Sequence, residues 1–332
     1  MPSNPPFSNA LLQWYAVFRR DLPWRRTRDP YAVWLSEIIL QQTRVVQGRA
    51  YWERFLERFP TVESLAEASE DEVLRLWEGL GYYSRARNLH AAARQIVAMG
   101  GFPRTLEGIR ALKGVGDYTA AAIGSIAFGL PAAVLDGNVY RVLARHFGLF
   151  TPIGTTAARK EFAALAQALL PEDAPADYNQ ALMDFGALQC VPARPDCPAC
   201  PLAASCHAFR HGQVELLPVK KPATAIQERH LSYLYVRVDG FTALHRRGPG
   251  DIWQGLWEPL LLPEGEPVPE GARLLVSGLK HQLTHRTLFA DFYLWEPAAR
   301  PSLPEDYIWV REEALPAYAK PRLIIRLLES LS

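Results

Sequence analysis

A chain of 332 residues with a hydrophobic fraction of 49% holds material for two globular cores. Its formal net charge of +1 excludes a histone-like polycation, and no apolar run approaches the roughly 18 residues that a membrane span needs. Met1-Pro-Ser-Asn-Pro-Pro-Phe7 has no basic stretch leading into an apolar one, so no secretory signal is expected and a reducing cytoplasmic location is. Charge is unevenly placed, however. Arg19, Arg20, Arg25, Arg26 and Arg28 crowd one segment, and Arg85 and Arg87 another, with Glu63, Glu67, Glu70, Asp71 and Glu72 between. Each arginine group reads first as a solvated helix face and second as a phosphate contact.

Residues 8–210 read as almost continuous helix. Asp29-Pro30 is a start signal, with Asp as cap and Pro in the first turn, and it opens an apolar segment through Trp34, Ile38 and Leu40. Further helices are predicted over 47–58, 70–78, 84–99, 105–111, 118–128, 137–147, 157–170 and 177–188, punctuated by Gly79, Gly81, Gly100, Gly101, Gly148 and Pro171. Leu217-Pro-Val-Lys-Lys-Pro-Ala-Thr224 reads as a linker. Beyond about residue 228 the periodicity changes to two. Strands are predicted over 231–238, 241–245, 288–295 and 307–311, with a hairpin at Asp239-Gly240 and a closing helix over 321–331. The expected organisation is a helical domain over 1–212, a linker over 213–228 and an α+β domain over 229–332.

All four cysteines fall in one short loop, as Cys190-x6-Cys197-x2-Cys200-x5-Cys206. Such crowding argues against disulfides. Four thiolates suit either tetrahedral zinc or an iron–sulfur cluster, and the wide, unequal spacing favours the cluster. In Leu112-Lys-Gly-Val-Gly116, Gly114 and Gly116 permit a tight hairpin whose N–H groups could hold an anion such as a nucleic-acid phosphate, or simply turn a corner between helices. Glu37 lies in an apolar helix. It is either a desolvated acid with a raised pKa or part of a solvated stripe with Ser36 and Gln41. Asp136 suits a helix cap, and a capping carboxylate would stay ionised with a low pKa. Gln41-Gln42 and Tyr82-Tyr83 read either as surface and core residues or as groups that fill a gap in a base stack.

Together, Leu22–Arg25, Trp34–Thr43, Gly79–His90, Leu112–Gly116, Leu135–Val139, Asn179–Ala187 and the cysteine loop resemble the helix-hairpin-helix DNA glycosylases of the endonuclease III superfamily, and within it the adenine DNA glycosylases. The resemblance spans nearly the whole chain. It implies a mainly α helix-hairpin-helix domain with a [4Fe–4S] loop, followed by a C-terminal α+β Nudix-like domain marked by Arg246–Pro259. It implies a monomer that flips adenine out of duplex DNA, where it is mispaired with 8-oxoguanine or guanine, and excises it in base excision repair. Glu37 would protonate the base and Asp136 would stabilise the oxocarbenium-like sugar, with Tyr118 and Asn138 in support. Arg20, Leu22, Trp24, Val45 and Gln180 match adenine-pocket positions, Arg25 is a further substrate or DNA contact, Gln42 and Tyr82 match probes of the stack, and Arg194 on the cysteine loop would touch phosphate. Strand-cutting members carry a nucleophilic Lys two residues after the second hairpin glycine. Tyr118 stands there, so the resemblance implies a monofunctional enzyme and opposes the runner-up, an endonuclease III-like pyrimidine-lesion glycosylase. In the family a Phe-Ser-His loop reads the oxidised guanine; here Leu283, Thr284 and His285 occupy it. No Gly-led run of clustered glutamates is present, so the second domain is expected to recognise and not to hydrolyse.

Overall fold

In a computed structural model, residues 6–221, 226–283 and 285–331 are described. Part of the expected linker and Thr284 lie outside them. Along the chain run helices α1 (Pro6–Phe18), α2 (Pro30–Leu40), α3 (Val45–Arg58), α4 (Val62–Glu67), α5 (Glu70–Leu76), α6 (Ser84–Ala98), α7 (Leu106–Arg110), α8 (Asp117–Phe128), α9 (Gly137–Phe147), α10 (Thr156–Leu169), α11 (Pro175–Leu188), α12 (His207–Arg210) and α13 (Arg322–Leu328). The strands are β1 (Gln227–Val238), β2 (Phe241–Arg246), β3 (Trp257–Glu258), β4 (Leu260–Leu262), β5 (Arg273–Gln282), β6 (Arg286–Trp295) and β7 (Tyr307–Arg311). The chain divides into two compact units, Met1–Glu63 with Ala91–Pro222 and Ser64–His90 with Ala223–Ser332. Segment 64–90, helical as expected, therefore groups with the C-terminal residues.

In the first unit, α2 starts where the sequence predicts. The Asp29 carboxylate accepts from the N–H groups of Tyr31 and Ala32, and Pro30 occupies the first turn. Every residue from Tyr31 to Ile39 is buried, so α2 is a central helix and its one charged group, Glu37, goes in with it. α2 packs on α8, while α11 packs on both α1 and α9. The close approach of α11 to α9 depends on Gly186, where a Cβ would lie only 2.6 Å from Asn138 Cβ. α8 and α9 both end on left-handed glycines, Gly129 and Gly148.

In the second unit the strands form one mixed sheet in the order β3-β2-β1-β6-β5, with β4 also on β1 and β7 also on β2. Only β1 and β6 run parallel among the described pairs, with Tyr233 opposite Phe292. The Asp239-Gly240 hairpin forms as expected, with φ of 51° and 75°. One sheet face buries Tyr233, Tyr235, Leu288 and Phe292 against Leu323, Ile324 and Leu327 of α13. Each of these large apolar side chains contributes about 1.5–3 kcal/mol on burial. The other face buries Leu234, Val236 and Val238. Strands β3, β4 and β5 have no clear alternation in sequence: β3 and β4 are two or three residues long, and β5 carries register shifts between Leu274 and Leu279.

Candidate active site

The first unit contains a cavity of about 220 Å³ that opens to solvent. The short 3₁₀ turn Pro23–Arg25 supplies one wall, α2 another, and α3, α8, α9 and α11 the rest. Of the residues singled out from sequence, Arg20, Leu22, Trp24, Arg25, Glu37, Val45, Tyr118, Asp136, Asn138 and Gln180 all line it. Residues far apart in the chain thus meet because α2, the N-termini of α8 and α9, and α11 cross at this point.

Glu37 is 9% exposed. Its carboxyl is pushed up to about 7, chiefly by burial, with the Asp136 charge adding to the rise. The Tyr118 hydroxyl beside it and the Arg25 guanidinium pull the other way. The solvated-stripe alternative fails, since Ser36 is also buried and bonds back to the Val33 carbonyl at 2.7 Å. Tyr118 remains a phenol, its pKa raised well above the ordinary value by burial and by Glu37; its hydroxyl also contacts Met183 Sδ at 3.4 Å.

Asp136 is the N-cap of α9, accepting from the Val139 N–H at 2.8 Å and from Asn138 Nδ2 at 2.9 Å. The expectation of a low pKa for this carboxylate is corrected. Burial raises it, and the opposing bonds from Val139 and Asn138 and the charge of Arg141 only limit the rise. Capping is therefore right as geometry, while desolvation decides the sign of the shift.

Two residues of the site were not picked out from sequence. Asp184, fully buried on α11, accepts from Arg20 Nε at 2.7 Å and from Arg25 Nη2 at 2.8 Å, fixing both arginines at the cavity wall. Its signal was the one used for Glu37, a carboxylate amid Ala181, Leu182, Met183 and Phe185 on an apolar helix. Arg141, buried on α9, donates to Asn138 Oδ1 at 2.9 Å and to the carbonyl of Cys190 at 2.7 Å. It joins the cavity to the cysteine loop.

The remaining candidates lie outside the cavity. Gln42 is exposed in the turn between α2 and α3, at a left-handed φ of 54°. Gly114, at φ 77°, and Gly116, the N-cap of α8, make the α7–α8 corner. The N–H groups of Lys113 and Val115 are taken by Gln95 Oε1 and the Leu112 carbonyl, so not all of this hairpin's amides face outward. In the second unit Tyr82 is exposed at φ 47°. Arg85 and Arg87 are not an open basic face: Arg85 is buried and bonds the carbonyls of Leu80 and Gly81, and Arg87 bonds the Gln254 carbonyl. Leu283 packs partly into the sheet core with its N–H on the Arg286 carbonyl, and the backbone carbonyl of the exposed His285 accepts from the Gln227 N–H. Thr284 lies outside the described residues.

The four cysteines form no disulfide and surround one mainly apolar cavity, also lined by Arg145, His146 and Phe185. Burial raises the thiol of Cys200 to about 11, and those of Cys197 and Cys206 also rise. Arg145 Nη1 lies 3.5 Å from Cys190 Sγ and donates to the Val191 carbonyl, while Nη2 donates to the Pro192 carbonyl. Among the described residues no group of three or more His, Cys, Asp or Glu is placed to hold a metal ion.

Residues 35–168 match the HhH-GPD superfamily of base excision DNA repair proteins, and residues 232–330 match the NUDIX domain. The chain is 45% identical over 222 residues to an adenine DNA glycosylase of Homo sapiens, covering 64% of this chain and 41% of that protein. It thus spans about two-fifths of that relative's length, and 44% of the corresponding Mus musculus protein. Against an adenine DNA glycosylase of Buchnera aphidicola it is 32% identical over 298 residues, covering 86% of this chain and 84% of the other. Among solved structures, a thermostable thymine-DNA glycosylase superposes with a TM-score of 0.57 at 32% identity, covering 62% of this chain and 95% of that one. A trapped endonuclease III–DNA covalent intermediate gives 0.54 at 22%, covering 62% and 94%, a likeness of fold alone. Matched over most of its length to the Buchnera relative, and carrying both domain signatures in order, the chain belongs to the adenine DNA glycosylase family of the HhH-GPD superfamily.

Proposed function

We propose that this protein excises adenine from duplex DNA, acting where adenine is mispaired with 8-oxoguanine or guanine, and leaves an abasic site. The observation that carries the reading is Glu37, held at about 7 in the same cavity as the α9-capping Asp136. At pH 7 an ordinary glutamic acid would be protonated in only ~0.3% of molecules, whereas Glu37 is protonated in about half. It can hand a proton to a ring nitrogen of flipped adenine, so that the base leaves neutral. As the glycosidic bond breaks, positive charge develops on the sugar. Asp136, oriented by Val139 and Asn138, supplies the nearby anion, and water completes the hydrolysis. Tyr118 and Asn138 orient the two carboxyls, while Arg20, Leu22, Trp24, Arg25, Val45 and Gln180 shape the base pocket. Extrusion costs a few kcal/mol and least at a mispair, which favours mismatched adenine. No lysine stands at the Tyr118 position, so strand cleavage is not expected.

The thiol set fits a [4Fe–4S] cluster. Four cysteines share one void but are not arranged around a single ion, and Arg145 supplies positive charge beside them. Cys190, Cys197, Cys200 and Cys206 would ligate it, and the cluster would hold the loop that presents Arg194 to DNA phosphate. The corner at Gly114 and Gly116 would take a second phosphate, and Gln42 and Tyr82 would probe the stack. Leu283, Thr284 and His285 would contact the oxidised guanine. We place the enzyme in the cytoplasm on the nucleoid, as a monomer.

The test is adenine release from duplexes with 8-oxoguanine, guanine or cytosine opposite. Release should be fastest opposite 8-oxoguanine and lost in Glu37→Gln protein that still binds DNA. Equal rates on all three duplexes would sink the specificity.

A further inference from the structure

The turn that carries Tyr82 is built entirely within the second unit. Gly79 and Gly81 reverse the chain at φ 98° and 71°, and Tyr82 follows at 47°, which a tyrosine adopts only where its surroundings over-determine the backbone. Those surroundings are specific. Trp77 Nε1 donates to the Gly81 carbonyl at 3.0 Å. Arg85 donates to the carbonyls of Leu80 and Gly81, and its guanidinium lies over the rings of Trp77 and Tyr82 at 5.0 and 5.6 Å. The buried Tyr83 hydroxyl donates to the Lys320 carbonyl at 3.2 Å, and the Lys320 N–H donates to Glu78 Oε2 at 3.2 Å.

Lys320 itself is held. The residue is 7% exposed, and its ammonium folds back onto the carbonyls of Leu315 and Tyr318, closing residues 315–320 into a strap. The strap is tied to β3, because the Trp257 N–H donates to the Ala319 carbonyl at 2.8 Å. On either side of the Tyr82 turn, Arg246 pairs with Glu70 and Asp71 of α5, and Arg87 of α6 bonds the Gln254 carbonyl. The turn lies within the span matched by the HhH-GPD model, yet its contacts belong to the Nudix-like unit.

We infer that the Nudix-like unit positions Tyr82, through a clasp of Glu78, Tyr83 and Lys320. The sensing of the base opposite adenine then depends on these three positioning residues and not only on side chains that touch DNA. This rests on the functional reading above, in which Tyr82 probes the stack.

The experiment compares full-length wild type, Glu78→Gln, Tyr83→Phe, Lys320→Ala and Tyr82→Ala. Adenine release at saturating enzyme, and its dependence on enzyme concentration, are measured with 8-oxoguanine or guanine opposite. A 2-aminopurine placed beside the 8-oxoguanine in an otherwise identical duplex reports unstacking. Each clasp variant should lose about three- to tenfold of the preference for 8-oxoguanine, the size expected for one hydrogen bond. The loss should sit in half-saturation, with the maximal rate little changed, and 2-aminopurine emission should fall toward that of Tyr82→Ala. In a Tyr82→Ala background the clasp substitutions should add nothing. Unchanged preference and emission in folded variants, or effects that add fully to Tyr82→Ala, would overturn the inference. If one variant fails to fold, the others carry the test. The emission arm needs binding and not excision, so failure of the clasp is seen separately from failure of the proposed activity, which wild type alone decides.

Discussion

The Arg25 guanidinium grips the fully buried Asp184 carboxylate with two nitrogens while its charge also acts on Glu37 across the cavity. One cation thus serves a structural anion and tempers the proposed catalytic acid. Asp184→Asn removes the anion shared by Arg25 and Arg20, leaving two part-buried cations without it. The expected loss is about 3 kcal/mol in urea unfolding. The uncompensated Arg25 should also favour the Glu37 carboxylate, shifting the loss of activity to lower pH. A variant as stable as wild type with an unmoved pH profile would contradict both statements.

Stability itself should record the cost of keeping Glu37 protonated. The folded value of about 7 exceeds the ordinary 4.5, so the native state binds more protons than the unfolded chain between these two values. Stability is fully present below about pH 4.5 and falls as pH rises through 7, by on the order of 3 kcal/mol from this group. Adenine release, which needs the protonated acid, should fall over the upper part of the same range. Glu37→Gln should abolish release and flatten that contribution, making it more stable than wild type at about pH 8. Thermal melts of both proteins across pH would show it. Parallel curves would mean that Glu37 does not titrate as described.

Arg141 ties the Asn138 side of the cavity to the cysteine loop, with donors on Asn138 and on the Cys190 and Gly186 carbonyls. Arg141→Gln strips partners from buried carbonyls, each costing about 1–3 kcal/mol. Release at saturating DNA should drop while half-saturation changes less, since the group acts through Asn138 and Asp136. Iron and acid-labile sulfide, expected in equal amounts in wild type, should be retained less well. Undiminished release together with full iron content would show the link to be idle.

Much of the cavity is legible in the sequence because its residues break local patterns. Glu37 is a charge in an apolar helix and Asp136 a cap before α9; outside the cavity, Gly114 is likewise readable as a turn with positive φ. Asp184 carries the same signal as Glu37, but its meaning depends on Arg20 and Arg25 lying across the cavity, a pairing no local pattern encodes. The raised pKa of Asp136 was not readable either. Capping is a local property, whereas the burial that outweighs it is made by α11 packing against the start of α9. The allegiance of segment 64–90 is similarly non-local: its helices are readable, but the bonds of Tyr83 and Glu78 to Lys320 span more than half the chain.

Tyr118 offers a test of how far one position sets the reaction. Its hydroxyl lies beside Glu37 and lowers that acid's pKa, so Tyr118→Phe should let Glu37 rise further and carry activity to higher pH. Tyr118→Lys places an amine in the same buried cavity, where desolvation lowers its pKa and frees its lone pair. Attack on the sugar C1′ would then compete with water and give a Schiff base. Borohydride should trap abundant covalent protein–DNA product with this variant and little with wild type. Abundant trapping by the wild-type chain would mean that another amine reaches the sugar, and that hydrolysis is not the only outcome the cavity permits.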